Sequence, residues 1–343
     1  MAETQTVTAS NESSGSGDPP QKDVRESVLP QIAIPLLLVA SFVLFSFLAP
    51  GLFFTGTNVR IIIASQATLL VLAVGATIPL RAGDFDLSIA AVMVLSASLV
   101  AAMGNMGWPL AVIVLAVLAT GVLVGLINSF FIVGLELSGF VVTLGMLTLL
   151  AGISNLVTGG ETLATVPVEI RDLTNTRVLG LPLAVWIGWV FAAVVLVVFQ
   201  RLPLGRYLLF LGGNPTAAQL AGLRVKRLRT GALVSSSFLG AVAGVLLAGT
   251  LGAVDPGSGG GYLLAPFTAA FLGTTMLHLR QFNVLGTLIG LYLLAVVITG
   301  LQLLGVAVWV ADVFNGAALV LAIAFARVLE LRSQRNIRRT TTT

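Results

Sequence analysis

Ten stretches of almost unbroken apolar sequence dominate this 343-residue chain, at about 31–49, 59–80, 87–104, 108–133, 139–158, 182–199, 231–253, 262–277, 283–304 and 308–326. Most approach the roughly 20 residues that a helix needs to cross the hydrocarbon of a bilayer. In lipid every backbone N–H and C=O must be bonded within the protein, and a helix does this within its own segment. The runs are too long and too evenly apolar for the alternating strands of a barrel. Composition agrees, with 57% hydrophobic and 9% charged residues, against about 25% charged in a soluble domain. The pattern describes an all-α polytopic membrane protein with about ten transmembrane helices. The run at 262–277 is short and follows Gly-rich sequence, which suits a tilted or re-entrant helix.

Charge placement orients the chain. Fifteen of the eighteen Lys and Arg residues, among them Arg81, Arg201, Arg206, Arg224, Lys226, Arg227, Arg229 and the cluster from Arg327 to Arg339, fall on one side of a ten-span arrangement; Arg60, Arg171 and Arg177 fall on the other. The positive-inside rule then puts both termini in the cytoplasm. Basic residues confined to loops explain the net charge of +4 without nucleic acid as a partner. Residues 1–30 cannot bury a core and are expected to form a disordered cytoplasmic tail. Residues 31–327 form the transmembrane domain, and 328–343 a basic cytoplasmic tail. Trp108, Trp186, Trp189 and Trp309 stand near expected interfaces, as an aromatic belt would.

The inventory of reactive groups is short. Cys is absent, His278 is the single histidine, and Lys22 and Lys226 are the only lysines. Disulfides, thiolate chemistry and multi-His metal sites are excluded or nearly so. Neither lysine sits in a GxxxxGK[ST] loop, so the chain carries no P-loop of its own. An intramembrane enzyme would lack its usual general bases. An ion-coupled secondary transporter, the alternative kind of carrier, needs carboxylates at mid-membrane. Asp84, Asp86, Glu136, Asp255 and Asp312 all fall near expected span ends instead.

A faint internal echo links Gly121–Leu126 (GVLVGL) with Gly286–Leu291 (GTLIGL), in the fourth span of each five-span half. An odd number of spans per half would invert the second copy, giving a 5+5 inverted repeat. The same small-xxx-small spacing also arises wherever membrane helices pack closely.

The longest polar stretch inside the membrane domain is 200–230. Within it, Asn214 suits a helix N-cap and Pro215 a first helical position, and Gly222 suits a left-handed C-cap. A short helix over Pro215–Ala221 follows. Such a capped segment could simply lie on the membrane surface, attracted by anionic lipid heads.

The stretch Gly212–Val225 is similar to the cytoplasmic coupling loop (G-x-N-x-x-A-A-x-x-x-G-I-x-V) of ABC-importer permeases of the ribose and branched-chain amino acid type, with Leu223 in place of Ile. Gly83-Asp84-Phe85-Asp86-Leu87-Ser88 resembles that family's G-G-x-D-L-S-x-G, with Ala90 where the family has Gly. Phe140–Thr148, Phe271–Thr275 and Asn283–Gly290 are similar to further family motifs, and the resemblance covers about residues 32–330. Asp86 and Ser88 equally suit helix N-terminal roles.

The resemblance implies a permease subunit that moves a monosaccharide or similar small polar solute by alternating access in a bacterial cytoplasmic (inner) membrane. It implies three partners: an ABC ATPase, an extracytoplasmic solute-binding protein, and a second permease subunit, identical or paralogous. ATP and Mg would be used by the ATPase, with no cofactor on this chain. The coupling residues would be Gly213, Asn214, Pro215, Ala217, Ala218, Gly222 and Lys226, and the motif before the third span Gly83, Asp86, Leu87 and Ser88. Gln66, Asn128, Thr143, Asn155 and Gln302 are candidates to line the solute path, although polar residues in spans also serve as interhelical hydrogen bonds.

Overall fold

The computed structural model describes residues 25–276 and 281–340. Most of the expected 1–30 tail, and His278 with Arg280, lie outside the described residues. Fourteen α-helices follow in order: α1 Arg25–Leu48, α2 Gly56–Ser65, α3 Ala67–Ala82, α4 Ile89–Asn105, α5 Leu110–Ser129, α6 Gly139–Thr158, α7 Val168–Asn175, α8 Leu183–Arg201, α9 Pro203–Gly213, α10 Pro215–Leu220, α11 Val225–Leu251, α12 Leu264–Gly273, α13 Val284–Leu303 and α14 Trp309–Thr340. Each expected apolar run contains an α-helix. A two-stranded hairpin, β1 Arg177–Val178 and β2 Leu181–Pro182, is the single sheet among the described residues. Its turn uses Leu179 and Gly180 at positive φ, as a tight hairpin of this hand requires.

Among the described residues five helices are long and apolar enough to cross a membrane, and a sixth span results if α2 and α3 count as one, bent by 43° at Gln66. The shorter apolar helices include α4 and residues 309–324 of α14. At a rise of 1.5 Å per residue, the ten residues of α12 extend about 15 Å, half the ~30 Å hydrocarbon layer. The backbone of α14 runs on to Thr340, well past the expected end at 326.

Helix α11 is the centre of the bundle, and α3, α4 and α5 pack along it. The approach is close because small residues face it: a Cβ added to Gly125 on α5 would lie 2.6 Å from the Val234 Cα. Fifteen of the sixteen residues of α3 are buried, so this helix is apolar all round, as an interior position demands. By contrast α6 buries one stripe, Thr143, Met146, Leu150, Ser154 and Thr158, at helical spacing against α4. Gly286 and Gly290 face α12, whereas Gly121 and Gly125 face α11. The two halves of the sequence echo therefore make close contacts with different helices.

The ends of the bundle differ in character. At one end Arg60 lies beside Gly180 of the hairpin, Arg171 beside Gly252, and Leu163 bridges Val254. At the other end lie Arg81, Asp84, Glu136, Lys226 and Arg229 with the α9–α10 segment. Among the basic residues assigned to opposite sides by sequence, Arg60 and Arg171 thus lie at one end and Arg81, Lys226 and Arg229 at the other.

Candidate functional site

The α9–α10 segment is built by local capping. Pro203 starts α9 and Pro215 starts α10, where a missing N–H costs nothing. Asn214 Oδ1 accepts the Ala217 N–H at 2.9 Å, a side-chain N-cap. At the other end the Leu223 N–H donates to the Ala218 carbonyl at 3.1 Å and Gly222 takes φ +79°, a left-handed helix stop. The expected helix over 215–221 is present with Ala221 as its C-cap. Ala218 is fully buried and holds the helix onto the bundle, while Leu220 on the same helix is 84% exposed. Gly213 is open to space.

Lys226 belongs to the first turn of α11, which begins six residues before the expected start of the span. It sits 3.7 Å from Glu136, with both side chains largely exposed, so this pair contributes little. Glu136 follows a widened π turn, Phe130–Gly134, at the end of α5. Together with Ile132, Pro215, Gln219 and Arg229 it lines a groove of about 750 Å³ between that turn and α10.

Above the coupling segment the chain breaks between α3 and α4. Gly83 ends α3 at φ +87°, a backbone conformation that suits glycine. It lies against Gly212, where a Cβ would overlap the Arg81 carbonyl oxygen. Arg81 donates from Nε to the Gly205 carbonyl at 3.1 Å and from Nη1 to the Phe282 carbonyl at 2.7 Å, and its guanidinium stacks on Phe199 at 4.5 Å. Asp84 accepts both forks of Arg229, at 2.8 Å from Nε and 2.6 Å from Nη2.

Asp86 Oδ1 accepts the Ser88 N–H at 3.1 Å and the Ser88 hydroxyl at 2.6 Å. Asn128 on α5 donates to the Ser88 Oγ at 2.8 Å. Asp86, Ser88, Asn128 and Thr143 are all fully buried, and Leu87 is half-buried. Thr143 donates to the Gly139 carbonyl at 2.8 Å, beside the Phe85 carbonyl. Asp84 and Asp86 do lie at helix ends, as expected, but inside protein.

Of the five candidate path residues, the structure brings Asn128 and Thr143 to this break. Gln66 sits at the bend between α2 and α3 and donates to Ser65 Oγ. Asn155 donates to the Ala151 carbonyl of its own helix at 2.9 Å. Gln302 is exposed near the end of α13. Among the described residues no hydrogen bond joins these three to one another. Helix α9, the Arg81 clamp, the Arg229–Asp84 pair and the exposed Leu220 are features that sequence reasoning missed. Leu220 alone carried a local signal, as a large apolar residue in a polar stretch.

A bundle of apolar helices with a capped helical segment at one end and a polar helix break above it is the build of a polytopic membrane protein. The chain belongs to the family described as branched-chain amino acid transport system / permease component, which matches residues 58–323. It is 30% identical to the ribose import permease protein RbsC of Haemophilus influenzae over 275 residues, 79% of this chain and 85% of that protein. The Escherichia coli K12 ribose import permease protein RbsC is 30% identical over 294 residues, 84% of this chain and 91% of the relative. The autoinducer 2 import system permease protein LsrC of Salmonella paratyphi B is 28% identical over 307 residues, 90% and 89% of the two chains. No solved structure matches the chain.

Proposed function

We propose that this chain is the membrane permease of an ATP-driven ABC importer for a sugar-type solute. Family membership supports this, together with relatives named for import of ribose and of autoinducer 2. The single observation that carries the mechanism is the capped α10 helix, with buried Ala218 holding it to the bundle and Leu220 facing outward.

In this reading a separate ATPase subunit docks on α10 and uses ATP and Mg, so this chain does no covalent chemistry. An extracytoplasmic binding protein delivers solute at the end that carries Arg60, Arg171 and Arg177. A second permease copy or paralogue completes the path, in a bacterial inner membrane with both termini cytoplasmic. Ten spans in two inverted sets of five are supported by recurring neighbours: α4 packs on α6 and α11 much as α12 packs on α14 and α3.

The test is reconstitution in vesicles with the cognate ATPase and binding protein, with radiolabelled D-ribose as the first probe. Uptake that requires ATP and all components is expected. Uphill accumulation by this chain alone would overturn the proposal. One observation favours an ion-coupled carrier, the fully buried Asp86 in the helix break. That reading requires uptake to collapse with a protonophore while ATP is maintained.

A further inference from the structure

We infer that the Asp84–Arg229 ion pair, with the Gly83–Gly212 backbone contact, ties the α9–α10 segment to the α3–α4 break, so that movement of one carries the other. The inference rests on the permease reading and names the positioning residues through which docking force reaches the interior.

Two attachments flank α10. On its N-terminal side Gly212 lies against Arg81 and Gly83 at a distance that admits no side chain. On its C-terminal side the chain turns at Gly222 into the first turns of α11, and Arg229 there grips Asp84 with two parallel hydrogen bonds. A bidentate Arg–carboxylate pair fixes direction as well as distance, and Asp84 is nearly buried, with 7% of its side chain exposed, where solvent screens little. Both attachments end within the two residues Gly83 and Asp84.

The chain from Asp84 then leads directly to Asp86 and Ser88, which Asn128 joins to α5. Arg81 anchors the same helix end to Gly205 and Phe282, which brings the entry of α13 into the connection. The segment that would receive the ATPase is thus joined to α3, α4, α5 and α13 through one helix terminus. Packed elements of this kind shift between discrete arrangements rather than deforming gradually.

The chain has no cysteine, so spin labels at Met106→Cys, at the far end of α4, and Leu179→Cys, on the hairpin, both exposed and placed in one permease copy of the complex, report one defined distance at the end away from α10. The permease is purified with its ATPase, and the distance is compared without nucleotide and after trapping with ATP and vanadate. We expect a nucleotide-driven change in this distance that Asp84→Asn largely abolishes. Arg229→Lys, which keeps charge but loses the fork, should reduce it less.

An unchanged response in Asp84→Asn overturns the inference. Should Asp84→Asn not assemble, the exchange Asp84→Arg with Arg229→Asp must restore both assembly and response. Failure of that exchange also overturns it. If the unmodified complex takes up solute with ATP yet shows no distance change, the inference alone fails; if uptake does not require ATP and the ATPase, the permease reading fails and the inference falls with it.

Discussion

Asn128 donates a hydrogen bond to the hydroxyl of Ser88 at 2.8 Å, and the Ser88 hydroxyl in turn donates to Asp86 at 2.6 Å. A side chain forty residues away thus orders the residue that precedes α4. In a low-dielectric interior such a chain is worth most when every link is present. Asn128→Leu leaves Ser88 with one partner fewer and should lower stability by about 1–3 kcal/mol, the penalty for a buried group that loses its bond. Thermal unfolding in detergent measures this. Asn128→Ser, which keeps a donor, should lose less.

Leu220 and Ala218 lie two residues apart on α10 and have opposite surroundings. Leu220→Asp should leave the melting temperature unchanged but weaken recovery of the ATPase on affinity purification. Loss of a leucine from an interface removes about 1.5–3 kcal/mol, or roughly 10- to 100-fold in affinity. Ala218→Arg should act differently, lowering the yield of folded permease, because its side chain has no space. A folded Ala218→Arg protein would show that α10 does not pack as described.

Gly212→Ala should destabilise the protein by about 1–3 kcal/mol through overpacking against Arg81, because the neighbouring atoms are backbone. Gly213→Ala, one residue on and open to space, should change stability by less than about 0.5 kcal/mol, the range of surface substitutions. A thermal shift of equal size for the two variants would contradict the contact.

Asn214→Ala removes the acceptor for the Ala217 N–H and should cost α10 about 1 kcal/mol. The effect is local. Amide exchange of residues 217–220 should accelerate about five-fold, from that same capping loss, while exchange in α11 stays slow.

Local features were legible in the sequence and distant ones were not. Asn214, Pro215 and Gly222 announce a helix because capping acts over three or four residues, and α10 lies within one residue of the expected span. The ten apolar runs are legible for the same reason, since length and uniform apolarity need no partner. Which face of α10 turns inward is not legible, because six residues give no periodic stripe to distinguish Ala218 from Leu220. Arg229 reads as one more loop charge, and Asp84 as a span-end carboxylate. Only three-dimensional packing brings them together. The early start of α11 was hidden because Lys226, Arg227 and Arg229 look like loop residues by charge, although nothing in their backbone preference opposes a helix.

The central position of α11 bears on how this chain is made. The helices α3, α4 and α5 are synthesised before the element that all three surround. Asp84 precedes Arg229 by 145 residues, which at the usual pace of translation of about 5–20 residues per second leaves roughly seven to thirty seconds without its countercharge. During that interval the first half of the protein sits in the membrane with an incomplete interior, exposed to translocon, lipid or chaperone. The emergence of α11 from the ribosome is therefore the step at which α3, α4 and α5 first gain the partner they share.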